Sequence, residues 1–358
     1  RFHSGAWMGN GAPSRFKQAA MLWDHPQARM RLRKMVEEKR PDALLFHNLI
    51  PVSSLGMYKE AQNLELPVIQ YIHNFRPFSP SGTMWMRGKV NAAALQGNPW
   101  PEVSARAWES SFLRTFLLAV YQKRLLRNGD LDVVKRWIAV SDFMREKFIE
   151  GGIPAARITT LRHCWQANPD FAATPEGGYY LFLGRLVPEK GIASLLEAWT
   201  LLEKRLGSAC PRLIIAGSGC EEARVHARVE RMERVTCVGF VSGAVKRDLV
   251  NGCRALIAPS IWWEPLGLIV HEAYNSARPV LAARSGGLTE TVVEGVTGFL
   301  HEPANPEGLA DDVERTEALG AARRADMGRQ GLAWLIKNAS PEEWRERFVE
   351  IVRGAVRE

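Results

Sequence analysis

Ile261-Trp262-Trp263-Glu264-Pro265-Leu266-Gly267-Leu268-Ile269-Val270-His271-Glu272 is the stretch from which the fold is read; Arg278-Pro279 and Val280-Leu281-Ala282-Ala283 follow it closely. One carboxylate opens the segment, a second follows eight positions later, and the residues between are almost wholly apolar. Pro265 suits the first turn of a helix, where its missing N–H costs nothing. The pattern predicts a helix from there to about Ala277, over which eight residues span about 12 Å. That reach lets the two carboxylates hold opposite ends of a long ligand such as a nucleotide sugar; the alternative is a solvated edge and a capping charge. Arg278-Pro279 ends the helix, and Val280–Ala283 reads as a short buried strand. Ser285-Gly286-Gly287 then opens a new helix near Leu288, where a glycine pair lets backbone N–H groups approach an anion.

Working outward, the same strand-then-helix unit repeats. In the second half strands are predicted at Tyr179–Gly184, Leu213–Ala216, Val235–Val238, Ala255–Ala258 and Val280–Ala283. In the first half they are predicted at Pro41–His47, Pro67–His73, Trp137–Val140 and Arg157–Leu161. A basic helix, Ala28–Arg40, precedes the first of these, and Ser141-Asp142 offers a helix N-cap after the third. Apolar strands alternating with helices imply parallel sheets covered on both faces. A break at Asn168-Pro169 and a linker-like stretch around Thr174–Gly178 separate two such sheets, which are expected to face a cleft. Ligands of sheets of this kind bind at the strand C-terminal ends.

The length of 358 residues fits two domains, and 46% hydrophobic with 24% charged residues is ordinary for a globular protein. No run of 18 apolar residues suggests a membrane span, and the first segment has no apolar h-region, so no signal peptide is expected. The five cysteines (Cys164, Cys210, Cys220, Cys237, Cys253) contain no C-x-x-C spacing, which points to a reducing, cytoplasmic compartment rather than a disulfide framework or zinc site. Charge is uneven. Residues 1–165 carry 24 Lys and Arg against 13 Asp and Glu, and the rest carries 23 against 26. The basic half is either an ordinary basic surface or faces an anionic partner such as a membrane, a phosphorylated acceptor or nucleic acid. No recognised nucleic-acid module is present, so nucleic acid is not expected.

Several loops carry chemistry. Arg185 and Lys190 lie five residues apart on a Gly-flanked loop after a strand; they are two ordinary surface cations or a pair that neutralises a diphosphate. Ala216-Gly217-Ser218-Gly219 only partly matches G-x-G-x-x-G, with Glu222 at the last glycine, which favours a turn passing near a phosphate or base over a dinucleotide fingerprint. The only D-x-D, Asp130-Leu131-Asp132, stands before a strand far from these loops and reads as a solvated turn, so no metal is expected. Trp85, Arg87, Lys89, Trp100, Arg106 and Trp108 interleave aromatics with cations. Arg114, Lys123, Arg124 and Arg127 share a predicted helix with Phe112, Phe116, Leu117 and Leu118. That helix is core-facing, or it serves a sugar acceptor or an anionic lipid surface.

Gly184–Gly191, Ala216–Gly219, Val238-Gly239-Phe240, Pro259–Glu272 and Ser285-Gly286-Gly287, in that order, resemble the retaining glycosyltransferases of family 4, the group 1 glycosyl transferases of GT-B fold. The likeness covers residues 179–305, and Glu-x7-Glu is the family's signature. The first half is similar more loosely, through Lys39–Asn48, His73-Asn74-Phe75-Arg76 and Ala139–Pro154. The family opens with a strand and Gly-rich loop that this chain does not show, so its N-terminal domain is expected to be truncated by one βα unit. His163-Cys164-Trp165 also stands where relatives carry Asn followed by Gly or an apolar residue.

The resemblance implies two Rossmann-like doubly wound domains: residues 1–168 on the acceptor side and 169–340 binding the donor, with a terminal helix, 341–358, crossing back to the first. It implies that Arg185 and Lys190 hold the donor diphosphate, Glu264 faces the donor sugar, Glu272 binds the ribose hydroxyls, and His73 touches the sugar near the reaction centre. Gly217, Gly219, Val241, Pro265, Leu266, Gly267, Leu268, Gly286 and Gly287 complete the implied donor-binding set. The implied reaction is a retaining, metal-independent transfer, without a cofactor, from a UDP- or GDP-linked sugar to a lipid-linked or polysaccharide acceptor. It belongs to cell-surface glycan biosynthesis, in the cytoplasm or peripherally on the inner face of the cytoplasmic membrane. Positive charge on the anomeric carbon and negative charge on the departing diphosphate need such preorganised donors. A glycosidase would need two carboxyls flanking one bond, which this spacing suits less well. A GT-B epimerase or phosphorylase, a nucleic-acid binder, and an inactive homologue that only binds nucleotide remain alternatives.

Overall fold

The computed structural model describes residues 14, 17–18, 20–21, 24–49, 54, 56–127, 129–167 and 175–357. The expected loss of a first βα unit, the break at Asn168-Pro169 and the start of the linker at Thr174 concern residues outside these. The chain divides into two units, Arg1–Arg162 with Arg345–Glu358, and His163–Trp344. The boundary therefore falls earlier than residue 168. Trp165 N donates to the Ala339 carbonyl at 2.8 Å, so the chain after Arg162 is already tied to the second unit. The terminal helix Pro341–Arg357 enters the first unit from Arg345 onward, where Arg347 donates to the Thr160 carbonyl at 2.8 Å.

The first unit holds β1 (Leu44–Phe46), β2 (Val68–Ile72), the hairpin β3 (Trp85–Met86) with β4 (Lys89–Val90), then β5 (Val134–Ala139) and β6 (Ile158–Thr160). Its main sheet runs β1-β2-β5-β6, all parallel. β2 is buried at every position, as a central parallel strand with both faces covered requires. After β5, Ser141 caps the helix Asp142–Glu150 by accepting from Met144 N at 3.1 Å. Ser141→Ala removes that bond at a fully buried position and is expected to lower stability by about 1 kcal/mol, measured by urea unfolding.

The second unit holds β7 (Tyr179–Leu183), β8 (Arg212–Ala216), β9 (Val235–Gly239), β10 (Leu256–Ala258), β11 (Val280–Ala283) and β12 (Gly298–His301) in the parallel order β12-β11-β10-β7-β8-β9. This is the doubly wound order, in which the chain reverses direction across the sheet between β7 and β10. Strand alternation divides the core in two. Tyr180, Phe182, Ile215 and Ile257 point to one side with Trp199 and Leu202, whereas Leu181, Ala216, Leu256, Ala258 and Val280 point to the other with Tyr274. Trp199 is fully buried, edge-on to Tyr180, with its indole N–H on the Pro211 carbonyl at 2.9 Å.

Two readings of the sequence are corrected here. β12 was not anticipated: it is four residues long and begins at Gly298, whose added Cβ would fall 1.8 Å from the Val280 carbonyl, so the glycine serves strand contact while reading as a turn. The signature helix is Leu268–Asn275, so it starts after Pro265 and stops before Ala277. Gly267 takes a left-handed φ of +83° and a Cβ there would meet Leu288 at 2.4 Å. Glu264 therefore lies in a loop ahead of the helix that carries Glu272, and the helical span between them does not apply.

Candidate active site

The loops leaving β7 and β10 flank the point where the strand order reverses, which is where an open parallel sheet leaves a crevice for ligand. Backbone contacts fix them to each other. Ile261 N donates to the Glu189 carbonyl at 3.0 Å, and Gly191 comes so close to the Pro259 carbonyl that a Cβ would sit 1.9 Å from it. On this frame the Lys190 ammonium meets Glu264 Oε2 at 2.5 Å. The same oxygen accepts from Ser260 Oγ at 2.9 Å and from the Trp262 indole N–H at 3.0 Å. Lys190 Nζ also lies 5.6 Å from the centroid of the Trp262 ring. Glu264 is only 7% exposed, and a buried carboxylate is tolerable because it is both ion-paired and multiply hydrogen-bonded.

The Ser285-Gly286-Gly287 turn clamps the backbone of the same carboxylate. Gly287 N donates to the Glu264 carbonyl at 2.8 Å, and Ser285 Oγ donates to the Trp262 carbonyl. Gly286 has φ +55°, and a Cβ there would lie 2.2 Å from the Glu264 carbonyl oxygen. Gly217 and Gly219 have a similar steric reason. A Cβ on Gly217 would fall 1.8 Å from the Gly184 carbonyl and one on Gly219 would fall 2.3 Å from that of Leu186. Leu186 N in turn donates to the Ser218 carbonyl at 2.9 Å, so the loops after β7 and β8 are knitted main chain to main chain.

The other residues singled out in this unit are more dispersed. Arg185 is exposed, with its guanidinium 3.6 Å from Glu189, so it does not share the Lys190–Glu264 contact. Glu272, one turn into its helix, pairs with Lys246 at 2.8 Å. That helix is anchored by Tyr274, whose buried hydroxyl lies 2.9 Å from the Thr291 carbonyl and 2.6 Å from Thr297 Oγ1; burial pushes its phenol well above the ordinary tyrosine range. Pro265 and Leu266 are buried in the clamped loop, and Leu268 is exposed at the helix start. Val241 is half-buried against the Leu181 side of the core.

In the first unit, His73 follows β2 and His47 follows β1, so both stand at strand C-terminal ends. Their rings stack at 5.1 Å and His47 Nδ1 lies 2.8 Å from His73 Nε2. Tyr71 packs 4.8 Å from the His73 ring and anchors itself to the Leu161 carbonyl at 2.8 Å. Partial burial lowers the His47 pKa, which keeps that ring neutral near pH 7.

Sequence reasoning missed Ser260, Trp262, Lys246 and His47. Ser260 and Trp262 had a readable signal, because polar donors two and four residues before a carboxylate can fold back on it. Lys246 had none; it comes from a different helix, Gly243–Gly252, and meets Glu272 only through packing.

Two family models match. "Glycosyl transferases group 1" takes in residues 167–334 and "Glycosyl transferase 4-like domain" takes in residues 5–164, so between them they account for most of the chain. A glycogen synthase of Mycobacterium tuberculosis is 27% identical over 318 residues, covering 86% of this chain and 68% of that protein. An uncharacterised glycosyltransferase of Methanocaldococcus jannaschii is 32% identical over 138 residues, covering 38% of this chain and about a third (34%) of its own length. Among solved structures, HepE of Anabaena in complex with UDP-glucose superposes with a TM-score of 0.66 at 18% identity, covering 92% of this chain and 84% of that one. Sucrose-phosphate synthase of Thermosynechococcus elongatus superposes at 0.67 and 18% identity, covering 96% and 81%. With the doubly wound sheet and its clamped carboxylate loop, these matches decide the family: the chain belongs to the group 1, family 4 glycosyltransferases of GT-B fold.

Proposed function

We propose that this protein transfers a sugar from a nucleotide-diphosphate sugar, UDP- or GDP-linked, to a lipid-linked or polysaccharide acceptor, with retention of anomeric configuration and without a metal or other cofactor. The observation that carries the reading is the Lys190–Glu264 pair, buttressed by Ser260 and Trp262, at the switch point of a doubly wound sheet. A cation and a fixed carboxylate side by side suit a ligand that is anionic at its diphosphate and hydroxyl-rich at its sugar. HepE of Anabaena was solved with UDP-glucose, which supports a nucleotide sugar as the ligand of a similar fold.

In this mechanism the bond between the anomeric carbon and the diphosphate oxygen breaks while the acceptor oxygen attacks from the same face. The acceptor proton passes to the departing phosphate oxygen. Lys190 and Arg185 take up the charge developing on the diphosphate, Glu264 orients the sugar hydroxyls and Glu272 holds the ribose. Gly217, Gly219, Gly286 and Gly287 let main chain come near the phosphates, and Val241, Pro265, Leu266, Gly267 and Leu268 line the donor. All five cysteines are free thiols, which supports a reducing, cytoplasmic setting for the reaction.

The test is transfer from the donor to a lipid-linked or glycan acceptor in the presence of EDTA, with the anomeric configuration of the product read by NMR. Unchanged turnover in EDTA and a product of the donor's own configuration are expected. Loss of turnover that added Mg²⁺ or Mn²⁺ restores, or an inverted product, contradicts the reading. Isomerisation of the donor without any acceptor would instead identify an epimerase.

A further inference from the structure

Glu272 stands one turn into the helix Leu268–Asn275, and Lys246 closes the first turn of the helix Gly243–Gly252. The Lys246 ammonium lies 2.8 Å from Glu272 Oε2. The two helices reach this contact from opposite sides of the switch point. Gly243–Gly252 leaves the edge strand β9 and carries the chain back past β8 and β7 to β10, whereas Leu268–Asn275 joins β10 to β11. Leu249 and Val250, three and four residues after Lys246 and so on its face of the helix, share one apolar core with Val270, Ala273 and Tyr274 of the signature helix. Buried packing therefore sets where both charges stand. Each helix starts from the C-terminal end of its strand, the edge of the sheet at which ligands bind. Both side chains keep access to solvent, 38% for Lys246 and 24% for Glu272. An ion pair this exposed adds little to stability, yet a ligand can reach it.

We propose that Lys246 is a positioning residue for nucleotide recognition, which fixes the Glu272 carboxylate for the ribose diol and offsets its charge beside the diphosphate. The inference rests on the reading of Glu272 as the ribose ligand and adds to it a residue from another helix. An ionised carboxylate only accepts hydrogen bonds, through about four lone-pair sites on its two oxygens. With the ammonium on one site of Oε2, the others can accept from the 2′- and 3′-hydroxyls together. A glutamate side chain held by a partner before the ligand arrives has less rotamer freedom left to lose on binding. A nucleoside diphosphate also brings negative charge towards Glu272. An unpaired carboxylate there would repel it, and the Lys246 ammonium cancels that repulsion. Lys246 acts on the ligand through Glu272.

The experiment is calorimetric binding of UDP, GDP and ADP, each beside its 2′-deoxy counterpart, to the wild type, Lys246→Met, Lys246→Gln and Glu272→Ala. The wild type is expected to prefer the ribonucleotide of the class it binds, and Glu272→Ala to lose that preference. Both Lys246 variants should bind the ribonucleotide about fivefold more weakly, the scale of one partly exposed ion pair, and the 2′-deoxy form should weaken less. The preference therefore shrinks, which a merely structural role would not cause. Both variants should keep the wild-type unfolding temperature without nucleotide, because the pair is exposed. A preference lost in Glu272→Ala but undiminished in both Lys246 variants overturns this inference alone. So does tighter binding by either Lys246 variant, because the pair would then be a latch that the ribose has to displace. A preference that survives Glu272→Ala overturns the ribose reading, absence of binding to the wild type overturns the donor reading, and the inference falls with either.

Discussion

Lys190→Met is expected to lower donor turnover by on the order of 10²–10³, the usual loss when one preorganised donor to a developing anion is removed. Turnover is read as nucleotide release from the donor. The side chain does two things in this site: it places a cation on the loop leaving β7, at the switch point, and it neutralises Glu264 across 2.5 Å. Glu264→Gln is expected to cost a similar factor, while Ser260 and Trp262 still donate to the amide oxygen that replaces Oε2. Because the two side chains act on each other directly, their effects should not add. The double variant is expected to be little worse than the poorer single one. Lys190→Met also strands the buried Glu264 charge, whereas the double change removes it, so the double variant should unfold at a higher temperature than Lys190→Met alone. Multiplicative losses of activity would show that the two groups work independently and would contradict the coupled site.

The second large effect is expected at Gly286. Ala there must adopt φ near +55°, and its Cβ would have to displace the Glu264 carbonyl from 2.2 Å. Left-handed strain of about 1–2 kcal/mol together with overpacking of about 1–3 kcal/mol predicts a destabilisation of roughly 2–5 kcal/mol. It also predicts loss of donor turnover, because the atom pushed aside belongs to the carboxylate loop. Gly320 is the control. It too has positive φ (+72°), but a Cβ there meets nothing within 4 Å, so Gly320→Ala should show the conformational cost alone and full turnover. If both variants lost stability equally in urea titrations, the close approach at Gly286 would not be what holds the loop.

Much of this was legible in the sequence, for identifiable reasons. All the strands of the two main sheets except β12 were visible because parallel strands covered on both faces are near-continuous apolar runs, broken by Gln70 in β2 and unbroken in β11. Ser141 as a helix cap was readable because capping is local chemistry. The start of the signature helix was not. Pro265 supplied a valid local signal, but a left-handed Gly267 pressed against Leu288 overrode it, and Leu288 lies twenty-one residues further on. β12 was missed because a glycine required by the neighbouring strand looks like a turn. Within the site, the basic pair and the two glutamates were legible as residues but not as contacts. Arg185 and Lys190, five residues apart on one loop, take different acidic partners, Glu189 and Glu264. The partner of Glu272, Lys246, is set by the packing of two helices.

The central claim is that the second unit holds a nucleotide-diphosphate sugar through these residues. It is tested most directly by thermal unfolding of the wild type and Glu272→Ala with UDP-, GDP- and ADP-sugars in EDTA. One nucleotide class should stabilise the wild type, by about 2.7 kcal/mol at a hundredfold excess over its dissociation constant, and the effect should be lost in Glu272→Ala. No stabilisation by any of the three classes, or equal stabilisation of wild type and variant, would contradict the assignment.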